Sequence, residues 1–290
     1  MTQPPVARSR RIPRRGLAIA VLLTCAAAPL LAQGPFIWGG YYGRTPPRFP
    51  TETSFNGGFN FCRAMFQSNR REKQGWGTDY PGADINFSIR LAELTKVQVR
   101  MRPAEQGPDL PDAVVVRLTD DNLFRCPFIL MEDAGTAHFS DAEVTRLRDY
   151  LLKGGFLFVS DYHGSWAREQ FDQEIGRVLS PTQFPAIDLE PPDHPIWHTF
   201  FDVTKIPQLA SINTWRRSGG DTIERWNDTG GPPNVRGIAD QHGRLLVVMA
   251  HNTDLPDAWE REGEDPQYFY SFSPESYAVG IDVLLYAMTH

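Results

Sequence analysis

FSDAEVTRLRDYLLKGGFLFVSDYHG, residues 139–164, decides the fold. Ser140 with Glu143 spells a capping box, in which each side chain satisfies a free backbone donor of a helix's first turn. Val144, Leu147 and Leu151 fall on one stripe of that helix, and Gly154-Gly155 supplies a left-handed stop at its end. Phe156-Leu157-Phe158-Val159 is then apolar on both sides, as a central strand of a parallel sheet has to be. The strand runs out into a polar tip, Asp161-Tyr162-His163, and α/β folds place their sites at such tips.

The same alternation extends in both directions. Upstream, Phe59–Phe66 is apolar on both faces and reads as a first strand. Asp84 is a candidate N-cap for a helix through about Leu94, with Phe87, Leu91 and Leu94 at i, i+4 and i+7. Val97–Met101, Ala113–Leu118 and Pro127–Met131 follow as strands, with a short helical turn at Asp120–Phe124. Downstream, a helix over about Trp166–Leu179 buries Phe171, Ile175 and Val178. Prolines then break the pattern over residues 180–235, where Gly219-Gly220 and Gly230-Gly231 bracket a mobile loop. Val235–Ala239 and Leu245–Ala250 form a hairpin, and Ser273 with Pro274 opens a last helix that buries Tyr277, Ile281, Leu284 and Met288. Strand, helix, strand, helix in this order predicts a three-layer α/β fold with a mostly parallel sheet.

Residues 1–33 stand apart from this domain. Arg8, Arg10, Arg11, Arg14 and Arg15 precede an apolar run from Leu17 to about Leu31, and small residues lead to Ala32. That is the pattern of an export signal, with a membrane anchor as the alternative and a twin-arginine route permitted by the arginine pairs. Residues 34–58, rich in Gly, Pro and aromatics, read as a linker or an arm lying over the domain, which leaves 59–290 as one α/β domain with an irregular insertion at about 180–235. Cleavage takes five positive charges and no negative ones from a chain of formal charge -6, giving -6 - 5 = -11. So acidic a protein, exported to the periplasm or the outside, is not expected to bind nucleic acid or to keep a membrane span. Cys62 and Cys126 remain; an oxidising compartment permits their pairing, while their apolar contexts favour buried free thiols. No Cys-x-x-Cys spacing is present, and neither metal nor other cofactor is expected.

Several motifs carry a resemblance: Gly75-Trp76-Gly77-Thr78-Asp79 followed by Ala83-Asp84, Asp121-x-x-Phe124 before Pro127-Phe128, Leu147-Arg148 through Gly154-Gly155 to Asp161, and Asp193-His194-Pro195-Ile196. From Phe59 to the C-terminus the chain resembles a bacterial family of exported and membrane-linked proteins defined only as domain-of-unknown-function family 4159. The resemblance implies a flavodoxin-like fold similar to the class I glutamine amidotransferases, and it implies no activity. Those enzymes carry a cysteine nucleophile on a sharp strand-to-helix turn. The comparable turns here, Asp133-Ala134-Gly135 and Asp161-Tyr162-His163, have none, so cysteine-dependent glutamine hydrolysis is not expected.

The strand ends gather the candidate site. Asp161 would serve as a general base or nucleophile and His163 as a proton shuttle, the plainer alternative being that Asp161 caps a turn. Asp79, Asp84, Asp133, His251 and Asp254 are candidate binding residues on the same rim, with Trp76 as a stacking platform. Asp193, His194 and His198 form a second group, whose i, i+4 histidines match metal ligands but lack the glutamate of zinc proteases. Two functions of different class follow: a non-catalytic cell-envelope domain that binds a protein partner or a carbohydrate, and a hydrolase acting on a carbohydrate or amide.

Overall fold

The computed structural model describes residues 45–68, 75–104 and 109–290. Residues 1–33, read above as an export signal, and residues 34–44 of the arm lie outside them. Seven strands make one sheet: β1 (Cys62–Met65), β2 (Val114–Arg117), β3 (Phe128–Met131), β4 (Phe156–Val159), β5 (Ala186–Asp188), β6 (Asn234–Ala239) and β7 (Leu245–His251). Among the described residues the α-helices are α1 (Gly82–Leu94), α2 (Asp141–Leu152), α3 (Gly164–Val178), α4 (Ile212–Ser218), α5 (Leu255–Glu260) and α6 (Pro266–Thr289). The spatial order is β2-β1-β3-β4-β7-β6-β5. The first five strands in that order run parallel, and β6 and β5 extend the sheet antiparallel. This is the expected three-layer, mostly parallel α/β architecture, and its first four strands follow the flavodoxin-like order.

Period-two alternation sorts the strand side chains onto two covered faces. Ile129, Met131, Leu157 and Val159 pack with Leu147 and Leu151 of α2 and with Phe171 and Ile175 of α3. Phe128, Leu130, Phe156 and Phe158 turn the other way, toward Phe87 and Leu91 of α1, Trp259 of α5, and Ile281 and Leu284 of α6. Each such buried side chain contributes roughly 1.5–3 kcal/mol, so the strands that carry the site are also the most firmly packed part of the chain. The capping box at α2 is present as read: Ser140 Oγ accepts from Glu143 N, and the Glu143 carboxylate accepts from Ser140 N at 2.8 Å. Gly154 sits at φ +110°, the left-handed stop that follows α2.

Some expectations need correction. Val97–Met101 is not a strand; it makes single bridges only, Phe59 with Val99 and Met101 with Pro111. The C-terminal helix starts earlier than Ser273-Pro274. Asp265 Oδ1 accepts from Gln267 N (2.9 Å) and Tyr268 N (3.2 Å) with Pro266 at the first position, the same cap signature eight residues upstream. Ser273 is buried mid-helix and donates to Ala258 O at 2.7 Å. Asp84 lies in the first turn of α1 without capping it. Cys62 and Cys126 form a disulfide instead of remaining free thiols.

The described part of the aromatic arm lies along the sheet edge. Arg48 O accepts from Val115 N of β2 at 2.9 Å, and the Arg117 guanidinium covers the Phe49 ring at 3.8 Å. No helix among the described residues is long and apolar enough to cross a membrane.

Candidate functional site

The site rests on a buried arginine. Arg63, in the middle of β1, has no solvent exposure and spends its donors on four groups. Nε reaches both Asp84 oxygens at 3.0 Å, and Nη2 reaches Asp84 Oδ1 as well. Nη1 donates to Glu132 Oε2 (2.6 Å) and Nη2 to Glu132 Oε1 (3.0 Å). Nη1 also reaches Trp76 O (3.2 Å) and Thr78 O (2.7 Å). One guanidinium therefore ties the loop carrying Thr78 and Asp79 to α1 and to the end of β3. It accounts physically for the Gly-Trp-Gly-Thr-Asp motif and for Asp84, which acts as foundation and not as a rim ligand. Burial pushes the Glu132 carboxyl well above the usual range, with Arg63 pulling the other way.

Above this foundation the backbone is strained at four places. Asp79 (φ 57°), Asp133 (φ 47°), Asp161 (φ 52°) and Asn252 (φ 58°) are the described non-glycine residues with positive φ. They follow β1, β3, β4 and β7, four neighbouring parallel strands, at their carboxyl ends. Asp and Asn tolerate this region better than other side chains, yet each instance costs roughly 1 kcal/mol or more, and such strain clusters at functional sites. Gly135, directly after the Asp133 turn, allows α3 to approach so closely that a Cβ there would lie 2.4 Å from Ala167 Cβ.

A polar pocket of about 80 Å³ opens over these strand ends. Asp79, Asp133, Asp161, His163, Asp254 and Asp257 line it, with Thr78, Ser211, Glu224 and Arg225 completing the wall. His163 Nε2 faces Asp161 Oδ1 at 3.3 Å. Asp161 N donates to Thr253 O (3.2 Å), which holds the ends of β4 and β7 together and sets Asp161 beside Asp254. Asp254 caps α5 by accepting from Asp257 N at 3.2 Å. Asp257 Oδ2 accepts from Ile212 N (2.7 Å) and lies 2.8 Å from the Tyr268 hydroxyl, whose oxygen is also 3.1 Å from Ala210 O. Tyr268 has one hydroxyl hydrogen for two acceptors, so a protonated Asp257 that donates to it relieves the conflict.

The acids raise one another. Burial pushes the Asp79 carboxyl well above its ordinary value, and Asp254 and Glu132 push it further. Burial does the same to Asp254, reinforced by Asp161 and Asp257. Asp257 is pushed up to about 7, mainly by burial, against the pull of the Ile212 amide. Asp257 is thereby placed to exchange a proton near neutral pH, as acid–base chemistry requires. His251 is different: burial lowers it to about 4, and its neutral ring donates from Nε2 to Gly164 O at 2.9 Å.

A wider cleft of about 430 Å³ adjoins the pocket and shares His163, Glu224 and Arg225 with it. Its walls carry two large exposed aromatics, Trp166 (50% exposed) and Trp226 (63%). The 224–231 segment, read from its glycines as a mobile loop, is latched. Asp228 accepts from Ser165 N (2.8 Å) and Trp166 N (3.1 Å) at the start of α3, and Asn252 Nδ2 donates to Thr229 O (2.6 Å) and Gly231 O (2.8 Å).

Of the residues singled out in the sequence, Asp79, Asp133, Asp161, His163 and Asp254 converge. Trp76 does not: it is buried and packs on Tyr80, with ring centroids 5.6 Å apart. Asp193 is exposed and away from the pocket. His194 Nδ1 accepts from Ile196 N (3.2 Å), its ring lies against Tyr286, and His198 pairs with Asp202 at 2.7 Å. His251 supports the rim from beneath. Sequence reasoning missed Asp257, Glu224, Arg225 and the foundation role of Arg63. Asp254-Leu-Pro-Asp257 did hold a signal, an acid cap followed by proline, which opens the short α5.

A flavodoxin-like α/β domain with an acidic pocket at the carboxyl ends of its parallel strands is the class that fold and site define. The family described as Domain of unknown function (DUF4159) matches residues 65–288, and the chain belongs to that family. No curated protein matches the chain.

Proposed function

We propose that the chain is an exported hydrolase whose rim pocket acts on a carbohydrate or amide substrate bound in the adjoining cleft. The observation that carries this reading is the convergence of Asp79, Asp161, His163, Asp254 and Asp257 in one buried pocket. Packing alone gives no reason to bury so many acids together, because each uncompensated carboxylate destabilises the fold. Asp161 with His163 is the acid–base pair, and Asp257, pushed up to about 7 by burial, supplies a proton donor near neutral pH. Trp166 and Trp226 offer faces on which a sugar ring or a peptide stacks. Export is supported by the leader pattern and by the Cys62–Cys126 disulfide, which suits an oxidising compartment. The disulfide also leaves neither of these two cysteines as a thiol for a glutamine amidotransferase mechanism.

A second reading is favoured by the exposed tryptophan pair: a non-catalytic envelope domain that grips a glycan or protein partner through Trp166 and Trp226. Hydrolysis of a panel of envelope glycans and peptide amides, run beside binding to the same compounds, separates the two. The hydrolase reading expects turnover that falls at least about a hundredfold in His163→Ala. Binding that is lost in Trp226→Ala, with no turnover of any compound, replaces it with the second reading.

A further inference from the structure

The pocket is unbalanced in charge. Six carboxylate side chains line it, and Arg225 is the single lysine or arginine in the wall. Arg63 beneath is occupied by Asp84 and Glu132. Within this wall, ligand-type atoms of Asp161, His163 and Asp254 all lie within 4.8 Å of one another, and so do those of Asp79, Asp254 and Asp257. Two donors about 2.1 Å from one ion are roughly 3.0–4.2 Å apart, so either group closes on a cation by small side-chain movements.

A cluster of acids by itself needs no ion. Here one further atom asks for one. His163 is 7% exposed and lines the pocket, and its Nε2 has no hydrogen-bond partner. His163 Nε2 faces a carboxylate oxygen at 3.3 Å without a hydrogen bond between them. A cation between the two is the arrangement that satisfies both lone pairs.

We propose that Asp161, His163 and Asp254 hold a divalent first-row cation, and that Asp79 and Asp257 form a second position sharing Asp254. Carboxylate oxygens with a single imidazole suit Mn²⁺ or Zn²⁺ better than Ca²⁺, which takes oxygen ligands alone. Asp257 is oriented for this by Ile212 N, and Asp254 by the backbone amide of Asp257. No metal spacing is legible along the chain, because the ligands come from three separate strand ends and a short helix. The proposal rests on the hydrolase reading for the reaction but not for its geometry; with the cation held, Asp161, His163, Asp254 and Asp257 are its ligands, and activation of a bound water takes the place of their acid–base roles.

The test uses the full chain, stripped with EDTA and titrated with MnCl₂ or ZnCl₂ by calorimetry, with CaCl₂ as a comparison. About one equivalent of Mn²⁺ or Zn²⁺ is expected, two if the second position fills, with pulsed electron paramagnetic resonance of the Mn²⁺ form showing coupling to one imidazole nitrogen. A hundredfold excess over Kd should raise Tm by roughly 5–10 °C. Asp254→Asn and His163→Gln should each weaken binding at least about tenfold, while His198→Ala, on the exposed Asp202 pair, should not. Less than about a tenth of an equivalent in the wild type, or the absence of nitrogen coupling, overturns the proposal. Binding undiminished in both pocket variants overturns it as well, as an adventitious ion only. Turnover that persists in EDTA-stripped protein removes the cation and leaves the hydrolase. A bound cation without turnover removes the hydrolase and leaves the cation.

Discussion

Asp257→Asn should stabilise the protein, and should do so only as the pH rises. In the folded chain burial holds the Asp257 carboxyl up to about 7, whereas in the unfolded chain it titrates near 3.9. The folded state therefore keeps a proton that the unfolded state has released. Its stability is undiminished below about pH 4, falls between pH 4 and 7, and stays low above that. Three units at about 1.4 kcal/mol each amount to roughly 4 kcal/mol at pH 8.5, of which about 1.5 kcal/mol is already lost at pH 5. Asparagine keeps an oxygen that accepts from Ile212 N (2.7 Å), and gives up the proton that Asp257 offers the Tyr268 hydroxyl (2.8 Å) and the 3.8 Å contact with Arg261, neither of which changes the pH dependence. The advantage of the variant over the wild type should therefore grow by roughly 3 kcal/mol from pH 5 to pH 8.5. Urea denaturation of both proteins at the two pH values, in EDTA, measures it. A gap that does not change with pH, or a variant less stable at pH 8.5, would refute the reasoning that Asp257 is buried as an acid held against its preference.

Three further outcomes test the scaffold. Arg63→Met leaves Asp84 and Glu132 buried without their cation and should cost about 3–5 kcal/mol in urea denaturation, a large share of the stability of an ordinary domain. Removing the Cys62–Cys126 link, which spans 64 residues, should cost about 4 kcal/mol, read from denaturation with and without reductant. Gly135→Ala drives a methyl group to within 2.4 Å of Ala167 Cβ and should cost about 1–3 kcal/mol; it should also move the start of α3 and so shift the His163 ring resonances by nuclear magnetic resonance.

The scaffold was legible in the sequence wherever one local signal decided the structure. Ser140 and Glu143, Gly154, and the two-sided apolar run of β4 each specify their own conformation, and together they set the parallel crossover. The last helix was misplaced because two Asp/Ser-plus-Pro signatures lie eight residues apart, and only the packing of Tyr268 and Ser273 chooses between them. At the site, Asp161, His163 and Asp254 were readable because strand ends of a parallel sheet share one rim. Trp76 was misjudged because nothing in its local sequence distinguishes a loop tryptophan that caps a core from one that binds a ligand. Arg63 reads locally as a polar residue in a strand; its role exists only through Asp84 and Glu132, 21 and 69 residues away. Glu224 and Asp257 enter through an irregular segment and a six-residue helix, where there is no periodicity to read.

If the rim acids are kept for chemistry and not for the fold, Asp161→Asn separates the two through turnover and melting temperature, measured against the wild type on a hydrolysed substrate. Asp161 is partly exposed, and its amide holds Thr253 O whatever the side chain. A chemical role predicts turnover reduced at least about a hundredfold with the melting temperature preserved. Full turnover with asparagine at position 161, or activity lost only in step with melting, would contradict it.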